Sequence, residues 1–284
     1  MASLTVEKVI HINQVLGDFE GANRFYGDVF AAAEYMNSYD EGERRDASLF
    51  LLGDTCIELF SPRDDQSLLG ANLAKYGDSF HSFELKVPDL DAAKATFDEH
   101  GVRVTTYRPG SFFMAHPKDA HGLLLEVCPF DMYGDLRLEP GWSAQPWRDH
   151  PLGIQQLNAL SAAVRDLDAA SAFLVALLGA EPMHSGERTG VGRTASFWLG
   201  DTMLELVEPS GAESPVAAYI ERYGPRMRSL HWQVADVGRA RAHLEGKGLR
   251  VLDGDVDGWI ALDPGDNYGA LWQFTEESQP GDPR

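Results

Sequence analysis

The stretch Leu52-Gly53-Asp54-Thr55 recurs as Leu199-Gly200-Asp201-Thr202, 147 positions later. Other small, acidic and turn residues recur at the same offset, and near the start the offset is 148. These pairs are Glu58 and Glu205, Tyr76-Gly77 and Tyr223-Gly224, Val87 and Val234, Asp89 and Asp236, Gly101 and Gly248, Pro117 and Pro264, Asp119 and Asp266, Gly122 and Gly269, and, at the longer offset, Asp18 and Asp166, Ala22 and Ala170, and Phe25 and Phe173. So many matches at one spacing indicate an internal duplication.

Both copies predict the same order of elements. In the first copy, an apolar strand over about residues 8–15 leads into an amphipathic helix that begins after Asp18, a favourable residue for a helix start. Three short strands follow, and the second half repeats the order with a strand over 82–87 and a helix over 89–100. The chain is therefore predicted to contain four βαβββ modules, an α+β fold of two tandem domains.

The predicted domain boundaries follow the repeat. The first domain covers residues 1–130, and the second covers 153–277. The segment 131–152 is rich in Pro, Gly and Trp, has no clear periodicity and is interpreted as a linker. The tail after Glu277 is expected to be loose.

Composition narrows the class of partner. The 284 residues are 44% hydrophobic and 24% charged, as in a globular protein with a real core. A formal net charge of −20 argues against a nucleic-acid partner and against an anionic membrane surface, because both require clustered Lys and Arg. The acidic exterior is read as a solubilising surface, and a small-molecule substrate is the expected partner.

Cysteine use and the absence of targeting signals suggest a cytoplasmic protein. Cys56 and Cys128 are the only cysteines, each in an apolar strand pattern, so neither a disulfide framework nor a cysteine zinc site is expected. The N-terminus lacks the apolar core of a signal peptide, and no stretch approaches the roughly 18 apolar residues of a membrane helix. The sequence leaves a homodimer open.

Two stretches resemble a known superfamily. The run His116-Pro117-Lys118-Asp119-Ala120-His121-Gly122-Leu123-Leu124-Leu125-Glu126 resembles the closing strand of methylmalonyl-CoA epimerases. The run from His11-Ile12-Asn13-Gln14 to Phe25-Tyr26 resembles the opening strand and helix of the same vicinal oxygen chelate superfamily, which also includes glyoxalases, bleomycin-resistance proteins and extradiol dioxygenases. The resemblance implies two glyoxalase-like domains with cupped mixed sheets. It also implies a divalent metal held by the first and last strand of each module.

Carried over by resemblance, the four ligand positions of the first domain fall on His11, Glu58, Ser82 and Glu126. Ser82 departs from the pattern because a neutral hydroxyl is a poor ligand. His81 precedes it, and strand alternation would turn His81 to the opposite face unless a bulge re-aims it. His81, Ser82 and a water molecule therefore all remain open as the third ligand.

In the second domain the same four positions are Ala159, Glu205, Ser229 and Gln273. One carboxylate and one amide do not make a transition-metal site. This domain is therefore expected to be structural, or to form a wall of the ligand site.

The residues of the first domain also make chemical sense together. Two carboxylates about 4 Å apart repel by roughly 4 kcal/mol at an effective dielectric near 20, so a shared divalent cation would stabilise Glu58 and Glu126 beside His11. The set suits Zn, Fe, Mn, Co or Ni. Glu84, which shares a strand face with Ser82, is a candidate base or supporting group, and its counterpart is His231.

Simpler roles compete with this interpretation. Glu58 could make a buried hydrogen bond common to both copies, since Glu205 persists where no site is expected. Lys86 could neutralise a carboxylate. His116 and His121 lie in the turn before the last strand and are expected to be surface or turn residues.

Three functions remain at this point. The first is a metal-dependent isomerase, epimerase or lyase that stabilises an enolate-like intermediate, with Glu126 or Glu58 moving the proton. The second is an extradiol-type ring-cleavage dioxygenase. The third is a metal-free protein that binds a small molecule and confers resistance.

Overall fold

The computed structural model describes residues 3–284 and contains one mixed sheet for each copy of the repeat. The elements of the first copy are β1 (Lys8–Val15), α1 (Phe19–Phe30), β2 (Ala33–Asp40), β3 (Arg45–Leu52), β4 (Thr55–Pro62), α2 (Leu68–Tyr76), β5 (Ser79–Lys86), α3 (Leu90–Glu99), β6 (Val104–Arg108), β7 (Phe112–Ala115) and β8 (Leu125–Cys128). The helix α4 (Gln145–Asp149) lies between the copies.

The second copy repeats the first. Its elements are β9 (Ile154–Ala163), α5 (Leu167–Leu178), β10 (Glu181–Arg188), β11 (Gly192–Leu199), β12 (Thr202–Pro209), α6 (Pro215–Tyr223), β13 (Arg226–Val234), α7 (Val237–Gly246), β14 (Val251–Asp253), β15 (Ile260–Leu262) and β16 (Leu271–Thr275). None of the helices in residues 3–284 has the length and apolar character that a membrane crossing requires.

Both sheets have the same topology. The eight strands of the first sheet run in the order β2-β3-β4-β1-β5-β8-β7-β6, and the second sheet has the order β10-β11-β12-β9-β13-β16-β15-β14. In the first sheet β1 pairs in parallel with β4 and antiparallel with β5, so the two modules of a domain meet at the centre of the sheet. The predicted α+β fold of two tandem domains with mixed sheets is confirmed.

Three helices lie outside the predicted order of elements: α2, α6 and the short α4 of the linker. The side chain of Ser67 accepts a hydrogen bond from the Gly70 amide (3.0 Å), and Gly77, at φ +71°, ends α2. Leu69 and Leu73 of α2 then pack against a small cluster of buried residues on β1, β3 and β4. The repeated Tyr-Gly pairs thus mark the C-terminal ends of α2 and α6.

Apart from α4 and a single 3-10 turn, the linker is held by individual side chains. Arg137 donates to the carbonyl oxygens of Ile10 (3.0 Å) and Asp54 (3.1 Å), and the indole of Trp147 donates to the carbonyl oxygen of Ala31 (3.0 Å). Single side-chain contacts of this kind produce no periodicity in the sequence. The sequence therefore did not predict that the segment is attached to the first domain.

The prediction of a loose tail is wrong. Gln279 is only 4% exposed, and its amide donates to Glu205 and to Ser196 at 3.0 Å each. Further along, Arg284 donates to the carbonyl oxygen of Leu157 (2.7 Å). The segment after β16 therefore packs across the second sheet, held by polar contacts that its short, polar sequence does not reveal.

The repeated Gly-Asp turns join the two domains reciprocally. The Asp54 carboxylate accepts a hydrogen bond from the Leu157 amide of the second domain (3.0 Å), and Asp201 accepts one from the Val9 amide of the first (2.9 Å). Burial raises the pKa of Asp54, while the hydrogen bond from the Leu157 amide and the charge of Arg284 act to lower it. Residues retained in both copies thus hold the copies together.

Two of the repeated glycines are explained in the same way. Gly122 and Gly269 have φ of +97° and +77°, and a Cβ atom at either would overlap the backbone of the other domain, at Pro225 and Asp78 respectively. Asp78 and Pro225 are themselves equivalent positions of the repeat. The close backbone approach therefore requires glycine on both sides of the interface.

We expect Gly269→Ala to lower the free energy of unfolding by about 2–5 kcal/mol. Alanine at positive φ costs about 1–2 kcal/mol, and the overlap with Asp78 adds about 1–3 kcal/mol. The matched control is Gly248→Ala, because Gly248 has φ +80° and nothing within 4 Å of an added Cβ. Urea denaturation measures both, and equal losses would contradict the close domain contact.

Candidate metal centre

The four central strands of the first sheet bring the candidate residues to one face, named here the first cup and defined by His11, Glu58, Glu84 and Glu126. Glu58 on β4 lies opposite Asn13 on β1, and Glu84 on β5 lies opposite Glu126 on β8. A register shift in β1 lies beside His11. Strand pairing alone therefore converges residues that are far apart in the sequence.

His11, Glu84 and Glu126 form the tightest group. One ligand atom from each lies within 4.8 Å of the other two. The His11 Nε2 and Glu84 Oε2 atoms are 3.0 Å apart, yet neither forms a hydrogen bond of acceptable geometry. Such spacing suits atoms that share one ion at bond lengths of about 2.0–2.2 Å.

Buried polar atoms in the first cup lack partners. Both ring nitrogens of His11, the Oε2 atom of Glu84 and the Oδ1 atom of Asn13 are buried without a hydrogen-bond partner among the described residues. Buried polar groups left unpaired are costly, and most find a partner in native proteins. The donor set of one imidazole and two carboxylates, with these unsatisfied atoms, fits a divalent metal.

The protonation states point the same way. Burial lowers the pKa of His11 to about 4, against the raising effect of Glu58, so the ring is neutral at pH 7 and can act as a nitrogen ligand. Burial raises the pKa of Glu84, and the Glu126 charge raises it further. Burial and then the Glu58 charge raise the pKa of Glu126. Without a cation the carboxyl groups resist ionisation together.

Glu58 lies in the same cup but has a cation of its own. Its Oε2 atom is 3.7 Å from His11 Nε2, while its Oε1 atom accepts a hydrogen bond from Arg45 (2.9 Å). Arg45 also binds Glu43 at 2.7 Å and covers the ring of Phe60 at 4.6 Å. Glu58 is therefore paired with a guanidinium of the protein, apart from the three-residue group.

A β-bulge decides where His81 points. The register between β1 and β5 shifts by one residue between Phe83 and Phe80, and the His81 ring contacts Phe60 at a centroid distance of 5.2 Å. His81 thus faces the first cup, as expected if a bulge re-aims it. Burial, with the charges of Arg226 and Arg45, lowers the pKa of His81 to about 3, so it is neutral.

Ser82 and Asn13 link His81 to Glu126. The Ser82 hydroxyl lies 3.0 Å from His81 Nδ1 and accepts a hydrogen bond from the Asn13 amide at 2.8 Å. The same amide nitrogen donates to Glu126 Oε2 at 3.2 Å. The structure therefore places His81 and Ser82 in a network that orients Glu126, outside the three-residue group.

The sequence predicted Glu84 as a base or supporting group, whereas in the structure it belongs to the three-residue group. It lies on the same strand face as Ser82, one pleat further along, which was the available signal. Nothing in the sequence indicated Arg45 or Asn13. Lys86 binds Asp131 (2.7 Å) instead of a cup carboxylate, and His116 caps the turn at Lys118 (3.1 Å) as a turn residue would. His121 contacts the ring of Phe173 across the domain boundary, at a centroid distance of 5.2 Å.

The corresponding face of the second sheet is named here the second cup and is defined by Glu205, Asp255 and Gln273. Its carboxylates pair with arginines of the same domain. Arg188 binds Glu205 through two hydrogen bonds of 2.8 and 2.6 Å. Arg228 pairs with Asp255, to which the Gln273 amide also donates (2.8 Å). Every carboxylate of the second cup therefore has a guanidinium partner, in contrast to Glu84 and Glu126.

The fold and the donor set define a tandem-domain protein of the glyoxalase type. The chain belongs to the glyoxalase/bleomycin resistance protein/dioxygenase superfamily, whose family model matches residues 10–115 and 160–261.

The similarities to known proteins are of two kinds, one in sequence and one in fold alone. The chain is 36% identical to an ethylmalonyl-CoA/methylmalonyl-CoA epimerase of Cereibacter sphaeroides over 101 residues, which cover 35% of this chain and 75% of the relative. It is 31% identical to the human mitochondrial methylmalonyl-CoA epimerase over 105 residues, 36% of this chain and 60% of the relative. A triple mutant of Streptomyces coelicolor 4-hydroxymandelate synthase shares the fold over 95% of this chain and 92% of its own, with a TM-score of 0.69 at 12% identity.

The ion pair of Arg228 and Asp255 predicts a pH dependence in the second cup. Burial alone would raise the pKa of Asp255, but the Arg228 guanidinium lowers it to about 2. The ionised form therefore stabilises the fold by about 2 kcal/mol above the ordinary pKa of about 4. This contribution falls to about half near pH 3, as protonation of the folded state begins.

We accordingly expect Asp255→Asn to lower the free energy of unfolding by about 2 kcal/mol or more at pH 7. The difference from wild type should shrink as the pH falls from 4 to 3. Denaturant melts over that range measure it, with exposed Asp253→Asn as the control. A deficit independent of pH would argue against the ion pair.

Proposed function

We propose that the first domain is a divalent-metal enzyme that stabilises an enolate-like intermediate of a small oxygenated substrate, in an isomerase, epimerase or lyase reaction. His11, Glu84 and Glu126 would hold the ion. A divalent cation bound there would act as a Lewis acid towards substrate oxygens. The observation that supports this most directly is the uncompensated pair Glu84 and Glu126 beside a neutral His11.

The contrast between the two cups supports the metal. Both sheets bury carboxylates at their centres, yet the second cup provides Arg188 and Arg228 as partners. In the first cup, Arg45 serves Glu58 and Glu43, and no Lys or Arg among the described residues lies within 4.0 Å of Glu84 or Glu126. A cation from solution would stabilise both carboxylates, which would otherwise retain protons.

Glu58 is the best candidate for the base that moves the substrate proton. Arg45 binds its Oε1 atom and leaves Oε2 without a hydrogen bond, 3.7 Å from His11 Nε2. A base needs to stand beside the bound substrate without losing its lone pairs to the ion. Glu126 is more restricted, because it belongs to the three-residue group and accepts a hydrogen bond from Asn13.

The epimerase relatives agree with proton transfer next to a carbonyl group, as their names state the inversion of an acyl-CoA centre. The extradiol alternative is less well supported, because that family places its ligands in the C-terminal domain. There the second cup contains Arg188 and Arg228, whose positive charges oppose binding of a metal cation. We therefore put the chemistry in the first domain.

We expect the purified protein to contain close to one divalent metal ion per chain. His11→Ala, Glu84→Gln and Glu126→Gln should each lower the metal affinity by at least about tenfold, since each removes a ligand. Elemental analysis and titration with Mn(II) or Zn(II) give the measurement.

The matched control is Gln273→Glu, which restores a carboxylate at the position in the second cup that corresponds to Glu126 and should add no second ion. Metal retained by all three ligand variants would sink the proposed centre, and so would wild-type protein that takes up no metal.

We expect Glu58→Gln to retain the metal while slowing proton exchange by about 10²-fold or more, the usual contribution of a general base. Exchange of the carbon-bound proton of a candidate substrate with deuterium oxide, followed by NMR, reports this step. Arg45→Lys should slow exchange less than Glu58→Gln. If Glu58→Gln lost the metal and the exchange together, Glu58 would be a ligand and not the base.

A further inference from the structure

Arg226 reaches from the second domain to the edge of the first cup. It is the first residue of β13, yet its guanidinium donates to the carbonyl oxygen of Phe80 in β5, next to His81. It also lies over the ring of Tyr76 at the end of α2, 4.7 Å from the ring centroid. The contact thus joins the second domain to the strand that contributes Glu84.

This guanidinium is buried without a carboxylate. Arg226 is 8% exposed, and among residues 3–284 it is the only buried Lys or Arg with no carboxylate oxygen within 4.0 Å. Arg228, two residues along the same strand, is paired with Asp255. The other basic residues that lack an acidic partner lie on exposed or partly exposed surface.

An unpaired buried guanidinium is costly, because the charge leaves water without a countercharge. The ring of Tyr76 recovers part of this through a cation–π contact. Within the described residues only one nitrogen, Nη2, makes a hydrogen bond, so most of the fork of N–H donors is unused. That fork matches the paired oxygens of a carboxylate or phosphate.

No carboxylate of the first cup pairs with Arg226. His81 faces the first cup between Phe60 and Ser82 and is neutral. The carboxylates of the cup, Glu84 and Glu126, belong to the group beside His11. The first cup therefore has its carboxyl groups beside His11 and, beyond His81, a positive charge that none of them pairs with.

We propose that Arg226 binds an anionic group of the substrate, a carboxylate or a phosphate, while the substrate oxygens lie at the group of His11, Glu84 and Glu126. The second domain thereby contributes a specificity-determining residue to the site of the first. This inference rests on the proposed function only for the place of the substrate. Recognition of the anion by Arg226 does not require the metal.

The test uses matched pairs of probes that differ by one charge. Dicarboxylates from malonate to adipate are each compared with their monomethyl esters, by calorimetric titration of the metal-free and the Mn(II)-loaded protein. We expect at least one acid to bind about tenfold or more tightly than its ester, as for a charge-assisted hydrogen bond. Phosphonocarboxylates of equal length show whether a phosphate is preferred to a carboxylate.

Arg226→Met should abolish the preference for the acid while leaving ester binding within about twofold. Arg222→Met, the same change at an exposed residue of α6, should leave the preference intact. If Arg226→Met does not fold, Arg226→Gln is used in its place. Equal acid and ester affinities in the wild type at every length would overturn the inference, as would a preference that survives both Arg226 substitutions.

The same titrations separate this inference from the proposed metal centre. A preference for the acid in both metal-free and loaded protein that depends on Arg226 supports the anion role whatever the metal content. If metal binds as proposed but acid and ester bind equally, Arg226 serves only to join Tyr76 and Phe80 across the domain boundary.

Discussion

The central constraint on this molecule is the burial of carboxylates in the middle of each sheet. The βαβββ topology brings the inner strands together, so an acidic residue is buried at the centre of each sheet, Glu58 in the first and Glu205 in the second. Each needs a cation, since unpaired buried charge is among the most costly arrangements in a fold. The two copies differ here: the second pairs its carboxylates with arginines, whereas Glu84 and Glu126 of the first have no Lys or Arg partner among the described residues. This difference between the copies is the basis for the proposed metal centre.

Much of the fold could be predicted because the repeat sets it twice. Matching Gly-Asp turns gave the register between copies, and the family resemblance placed His11, Glu58 and Glu126 on strands of one domain. The structure adds why these turn residues are kept: Asp54 and Asp201 accept amides from the opposite domain, and Gly122 and Gly269 admit its backbone. These retained residues therefore report the interface between the copies. Glu205 recurs for another reason, because it pairs with Arg188 as Glu58 pairs with Arg45.

What the sequence could not give depends on one-residue register shifts and on lone side-chain anchors. A bulge at β5 turns His81 into the cup, but the position of a bulge leaves no mark in an alternation pattern. Arg45 is separated from Glu58 by a hairpin and reaches it only through the pairing of β3 with β4. Arg137 and Gln279 order the linker and the tail through single polar contacts. Such contacts are decided in three dimensions, where periodicity carries no information.

Through the proposed role of Arg226, the second domain contributes to substrate binding as well as to packing. Its own cup is filled by Arg188, Arg228 and Gln279, which leaves no open set of ligands. Yet the strand that supplies Arg228 begins with Arg226, two residues earlier and across a register shift, and this residue crosses to Phe80 in the first domain. The same strand therefore neutralises one cup internally and offers charge to the other. A single-domain relative would have to obtain that charge elsewhere, so the contact ties the tandem arrangement to the choice of substrate.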